Sequence, residues 1–145
     1  MNKNEGFSLI ELLVVIGVLT ILLAIVLVAI NPSRQFSQAN NTKRRSDVNT
    51  ILNAVHQYMV DNNGALPSGI STTATNIGSD TTDVDICSDL VSTYIAEMPA
   101  DPTSGTWMDC SSYDTGYSIS TSASNNRVTV TAPSAELNQT ISITR

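Results

Sequence analysis

The run Gly6-Phe7-Ser8-Leu9-Ile10-Glu11-Leu12-Leu13-Val14-Val15 sets one carboxylate at the front of an apolar stretch that continues to Ile30. From Leu12 to Ile30, nineteen residues carry no formal charge. As a helix they reach roughly 28 Å, close to the thickness of a bilayer's hydrocarbon core. A carboxylate taken deep into such a medium without a partner costs about 2.5–3.5 kcal/mol. The chemistry demanded at Glu11 is therefore charge compensation. A secretory signal peptide does not fit: the apolar core is too long, Glu11 sits inside it, and Val28-Ala29-Ile30-Asn31 is a poor cleavage site. A plain membrane anchor explains the length but neither Glu11 nor the abrupt Gly6-Phe7 junction.

No other residues assemble a reaction centre. There is no Gly-x-Ser-x-Gly, no phosphate-binding glycine loop and no His-Glu-x-x-His, and the chain has a single histidine, His56. No enzymatic activity is expected. Asp80, Asp83, Asp85 and Asp89 form one acidic group in sequence, and Asp101, Asp109 and Asp114 another. Oxygen-rich loops hold calcium, but neither group has the ligand spacing of an EF-hand. The expectation is a solvated acidic surface, with calcium the one cofactor worth testing. Cys87 and Cys110 stand 23 residues apart without a Cys-x-x-Cys. A pair of buried thiols is one reading. A disulfide is the preferred one for a domain outside the cytoplasm, and closing that loop is worth about 3 kcal/mol in the chain-entropy picture.

The net charge of −6 lies mainly beyond Asn62 and argues against wrapping nucleic acid. At 145 residues there is room for one modest domain after the apolar segment. That segment ends at Asn31-Pro32, as a kink or as a stop and restart with Asn31 the N-cap and Pro32 the first helical residue. Val48, Ile51, Leu52, Val55, Tyr58 and Met59 then follow the i, i+3, i+4, i+7 pattern of an amphipathic helix, while Arg45, Asn49, Asn53 and Gln57 fall mostly elsewhere on the wheel. Gly64 is the expected C′ residue. Residues 68–85 read as loop, and Leu90 to Met98 as a short helix stopped by Pro99 and Pro102. Tyr117–Thr121, Arg127–Thr131 and Ile141–Thr144 alternate as strands, the first two flanking a turn at Ser124-Asn125-Asn126. Their apolar face supplies Ile119, Val128, Val130, Ile141 and Ile143 against the second helix. Trp107 either extends this core or stands in a subunit contact. The fold class is α+β: a long amino-terminal helix, apolar in its first half and amphipathic in its second, packed on a small antiparallel sheet.

The start of the chain, GFSLIELLVVIGVLTILLAIV, resembles that of type IV pilins and of the related pseudopilins of type II secretion. In that family a membrane peptidase cuts after the glycine, the new terminus is N-methylated, and the subunits polymerise through their amino-terminal helices. The resemblance implies that Gly6 ends a six-residue leader, Phe7 becomes the methylated terminus, and Glu11 is the acidic residue near the mature start. It divides the chain into residues 1–6 as leader, 7–30 as membrane and filament-core helix, 31–63 as amphipathic helix and 64–145 as head. Asp61-Asn62-Asn63-Gly64-Ala65-Leu66-Pro67 is similar to the family's helix exit, with Leu66 in place of an aromatic. Met98-Pro99-Ala100-Asp101-Pro102 and Gly116-Tyr117 resemble its Pro-x-Asp-Pro and Gly-Tyr elements. The family's proline commonly lies inside the apolar segment, whereas Pro32 follows it.

The function implied is structural: a subunit of a type IV pilus used for adhesion, motility or DNA uptake. The implied partners are further copies of the chain in a helical filament, a prepilin peptidase, an inner-membrane assembly platform, and the membrane before assembly. Nucleic acid would be met only through the filament. The precursor is expected to cross the membrane once with its head outside the cytoplasm. The positive-inside rule opposes that topology, since Lys3 is offset by Glu5 while Arg34 and Lys43-Arg44-Arg45 lie on the other flank. The specificity of the amino-terminal motif outweighs it. On an acidic subunit the basic triplet is expected to meet the next protomer, with Arg44 also in reach of Asp47 or Asn40. Asn40-Asn41-Thr42 and Asn138-Gln139-Thr140 complete glycan acceptor signals, which are common by chance. Two alternatives remain: a pseudopilin in a short periplasmic fibre, and a non-polymerising, membrane-tethered binding module. Cleavage frees a cation at Phe7, and Glu11 of one subunit meets it on a staggered neighbour, compensating two charges that are each costly in an apolar setting. Glu11→Ala is expected to leave cleavage intact and to impair assembly, read as filament yield by microscopy against processed subunit by mass.

Overall fold

A computed structural model describes residues 6–145. The described residues divide into two compact units, one ending at Phe36 and the other running from Ser37 to Arg145. The first holds α1 (Leu9–Ile30) and the start of α2 (Pro32–Asp61). From Ser37 onward α2 belongs to the second unit, with a five-stranded sheet and one short helix. The class is α+β: an apolar helix, a second helix and an antiparallel sheet.

Asn31 separates the two helices. Its φ of 46° and ψ of 79° place it in the left-handed region, which asparagine tolerates better than most residues. Its side-chain Oδ1 accepts from the Arg34 N–H at 3.3 Å, and its carbonyl from the same N–H at 3.1 Å. This is an N-cap with Pro32 as the first helical residue, where the missing proline donor costs nothing. Of the two readings of this junction, a kink or a stop and restart, the second is observed.

The apolar stripe of α2 packs as its spacing predicts. Val48, Ile51, Leu52 and Val55 are fully buried, and Tyr58 and Met59 lie against the same core. The helix ends in a Schellman-type turn: Gly64 N–H donates to the Met59 carbonyl at 2.7 Å and Asn63 takes φ 53°. Asn63, not Gly64, is therefore the C′ residue. Gly64 follows it as C″, also at positive φ.

The sheet runs β1 (Thr75–Gly78), β3 (Ser112–Thr121), β4 (Val128–Ala132), β5 (Ile141–Thr144), all neighbours antiparallel. β2 (Thr106–Asp109) pairs with the first half of β3. Asp114 faces both β1 and β2, so β2 and β4 share one edge of β3 and β1 takes the other. Ile119, Val128, Val130 and Ile141 are buried and Ile143 is partly so, as the alternation requires. Trp107 lies half-buried at the core's margin, edge-on to Tyr113 with ring centroids 5.7 Å apart.

Two expectations about residues 68–98 fail. The segment 68–85 contains β1, whose Ile77 is fully buried and bridges to Val84. A four-residue edge strand of sequence Thr-Asn-Ile-Gly has too little alternation to announce itself. The expected helix over Leu90–Met98 is instead α3 (Cys87–Leu90). Asp85 Oδ1 accepts the Cys87 N–H at 3.0 Å and starts that turn early. Ser92, at φ 70°, then ends any helical path. Leu90 and Met98 still reach the core, through bends.

The largest departure concerns Arg44. It does not await a neighbouring protomer: its side chain is fully buried in its own unit. Nε and Nη2 fork onto Asp101 at 2.6 and 3.1 Å. Nη2 also reaches Thr103 Oγ1 at 2.7 Å, and Nη1 reaches Glu136 at 2.7 Å and Asn41 at 3.0 Å. All five guanidinium donors are thus used. Asp47, the other expected partner, binds Lys43 at 2.6 Å and the buried Tyr117 hydroxyl at 2.7 Å. Arg44 therefore ties α2 to the loop before β2 and to the loop before β5. The first loop is pressed against β3: Asp101 N–H donates to the Thr115 carbonyl at 2.8 Å. A Cβ on Gly105 would collide with Asp101 N and Thr115 O, so only glycine fits there.

Burial alone would push the Asp101 carboxyl up. The Arg44 guanidinium, with the Thr103 and Ser104 N–H groups, outweighs it and holds Asp101 well below the usual carboxylate range. Arg44, Asn40 and Ser37 lower Glu136 as well. A group whose pKa is lowered by folding stabilises fully above its unfolded value, about 3.9 for Asp, and loses that contribution as pH falls towards the folded value. Asp101→Asn in the full chain in detergent is expected to cost about 1.5–3 kcal/mol at pH 7, because it takes the forked carboxylate from a buried guanidinium and leaves Glu136 as its counter-charge. Its thermal midpoint should also change less than wild type's between pH 5 and pH 2.

Candidate functional site

The site is the start of α1. The helix needs no tertiary help to choose its conformation, since β-branched and straight-chain apolar residues in a continuous run satisfy every backbone group internally in a non-polar medium. The one hydroxyl in its middle, Thr20, donates to the Ile16 carbonyl at 2.7 Å and leaves no polar atom for lipid. None of the helix's 22 residues is buried. It is long and apolar enough to cross a membrane.

The helix begins at Leu9, and Gly6, Phe7 and Ser8 lie outside it. Ser8 is extended, with φ −78° and ψ 150°. Its hydroxyl accepts the Glu11 N–H at 3.3 Å, and its own N–H donates to Glu11 Oε2 at 2.9 Å. The two residues form a reciprocal capping box, which satisfies two donors that a helix start otherwise leaves open. Phe7, 88% exposed, stands just ahead of it. Phe7, Ile10, Glu11, Val14 and Val15 line one shallow hollow, so the carboxylate borders an apolar surface.

Among the expected site residues, the structure brings Phe7 and Glu11 to one end of α1, with Gly6 adjoining Phe7 in the chain. The leader expectation otherwise falls on residues 1–5, outside the described residues, as do Lys3 and Glu5. Ser8 carried no role in the reading by charge and composition. Its signal is nonetheless in the sequence, because Ser-x-x-Glu ahead of an apolar run is the capping-box pattern. In the second unit, Cys87 and Cys110 are bonded, their Cα atoms 5.4 Å apart, joining α3 to the β2–β3 turn. His56 is half-buried at the margin of the α2 stripe. Among the described residues no three His, Cys, Asp or Glu side chains converge as metal ligands. Asp83 and Asp114 approach one another through Asn76, whose amide donates to both at 2.9 Å.

Residues 1–27 match the family model described as the prokaryotic N-terminal methylation motif. The chain carries a prepilin-type amino terminus. No curated protein and no solved structure matches it. The motif is shared by type IV pilins and pseudopilins, a class of structural subunits that begin as membrane-anchored precursors. The prepilin-type terminus and the capping box coincide: the motif's glycine and aromatic lie outside the helix, and its glutamate is the third helical residue. For the cystine of the second unit, thiol labelling of the native chain should find no reactive thiol before reduction and two after it. Labelling of both without reductant would contradict the bond.

Proposed function

We propose that this chain is a structural subunit of a type IV pilus. The precursor is cut between Gly6 and Phe7 by a prepilin peptidase. Phe7 is N-methylated, and the processed subunit is polymerised by a membrane assembly platform. The observation that carries this reading is the match of residues 1–27 to the methylation motif, whose part from Leu9 onward lies on a 22-residue helix with no buried residue. An apolar surface of that size needs cover. Lipid supplies it before assembly and the helices of other subunits afterwards.

Glu11 gives the assembled state its register. At the edge of lipid the carboxylate is near enough to water and headgroups to be tolerated, whereas in a helical bundle it must meet a cation. The Phe7 amine of a neighbour is that cation, and an incorrect stagger would leave both charges unpaired. The disulfide belongs to this picture, since it forms in an oxidising compartment and pins α3 to the β2–β3 turn. A pseudopilin would share every one of these steps and differ in where its fibre ends.

Intact-mass analysis of protein from cells expressing the peptidase tests the reading. The expected mass lacks Met1–Gly6 and carries one added methyl group. A full-length, unmethylated chain would overturn it. Extracellular filaments on the same cells would mark a pilus, and loss of protein secretion on deletion would mark a pseudopilus.

A further inference from the structure

We propose that Ser8 is a positioning residue for assembly: its main-chain N–H holds one oxygen of Glu11 so that the other is presented to the amine of a neighbouring subunit. The proposal rests on the assembly role given to Glu11 above and adds how that carboxylate is aimed.

A glutamate side chain has three rotatable bonds, and fixing it costs rotamer entropy. The capping box meets that cost within one chain, before any neighbour arrives. Oε2 accepts from Ser8 N–H at 2.9 Å, and the Ser8 hydroxyl fixes the start of the same turn by accepting from Glu11 N–H at 3.3 Å. Oε2 is thereby drawn back towards the start of the helix, the end that carries Phe7. An ionised carboxylate offers about four acceptor positions. Among the described residues Oε1 takes part in no hydrogen bond, so the carboxylate can cap its own helix and accept an ammonium together. No bond within the subunit has to break on assembly. Such pre-organisation strengthens association by lowering what must be ordered at the moment of contact.

The backbone of Ser8 allows the claim to be isolated. Its φ of −78° lies within the range of proline, and its ψ of 150° is extended. Ser8→Pro therefore removes the N–H and the hydroxyl without forcing φ. Ser8→Gly removes the hydroxyl alone, and glycine is nearly as good an N-cap for helix stability. The two variants differ at the donor to Glu11. Filament yield is measured on whole cells and divided by processed subunit, counted by intact mass, so that slower cleavage is not mistaken for failed assembly. Ser8→Gly should assemble within about twofold of wild type, and Ser8→Pro should fall about tenfold, the worth of one hydrogen bond to a charged group.

A Ser8→Pro chain that assembles like Ser8→Gly, while Glu11→Ala does not assemble, would overturn the proposal and leave the role of Glu11 standing. A Glu11→Ala chain that assembles like wild type would remove the reading on which the proposal rests. Should proline block cleavage altogether, the Ser8 amide proton of the processed wild-type subunit in detergent micelles decides. Its exchange with solvent should be slowed, and Glu11→Ala should abolish that protection. A Ser8 amide indifferent to Glu11→Ala would overturn the proposal.

Discussion

A carboxylate next to nineteen uncharged residues is the constraint around which this chain is organised. Water would solvate Glu11, but Leu12 to Ile30 take the helix out of water. The chain cannot supply a full counter-charge from within the turn that holds Glu11. It supplies one neutral partner, the N–H of Ser8, which orients the carboxylate, while the Ser8 hydroxyl accepts the Glu11 N–H and satisfies the helix start. That is enough at a membrane edge. Inside a bundle of apolar helices it is not, and the proposed cut before Phe7 creates the missing cation one helical turn away. In the proposed assembly, processing and polymerisation are linked by electrostatics: until the peptide bond is broken, a neighbour has no amine to offer.

The second unit solves a similar problem differently. Arg44 is buried with every donor used, and its two carboxylate partners lie 57 and 92 residues further along the chain. Here compensation is internal and permanent. The result is mechanical, because one side chain fixes α2 to two loops that lie outside the strands. The Asp101 loop is further locked by Gly105 and by the bond from its backbone to Thr115. Replacing such a cluster by apolar residues would often be neutral for stability, but removing one member would not. The helix face that carries Val48, Ile51 and Val55 is thereby kept in register with β3 and β4.

How much was legible follows from how local each signal is. The α2 stripe, the Asn31 cap and the alternation of β3, β4 and β5 are short-range patterns, and each is found where its residues place it. Arg44 was not legible. On an acidic subunit a Lys-Arg-Arg triplet reads as a face that meets the next protomer, and nothing near it in sequence reveals that Asp101 and Glu136 will close over the middle residue. β1 and β2 are four-residue strands held by the long β3 and carry little pattern of their own. The apolar residues from Leu90 to Met98 do face the core, but a left-handed Ser92 turns the chain where spacing alone suggests a helix. At the amino terminus the glycine, aromatic and glutamate were all readable. Ser8 is silent to a reading by charge, because a capping residue contributes geometry and no charge.

In the proposed filament the cation meeting Glu11 belongs to another subunit. Filaments can be co-assembled from two populations, one with 15N at the Phe7 amine and one with 13C at the Glu11 carboxyl. Solid-state magnetic resonance then reads the distance between the labels, which can arise only between chains. A dipolar coupling corresponding to about 3–4 Å is the predicted result, the span of an ammonium–carboxylate contact. Filaments that form normally yet show no coupling between the two populations would contradict it.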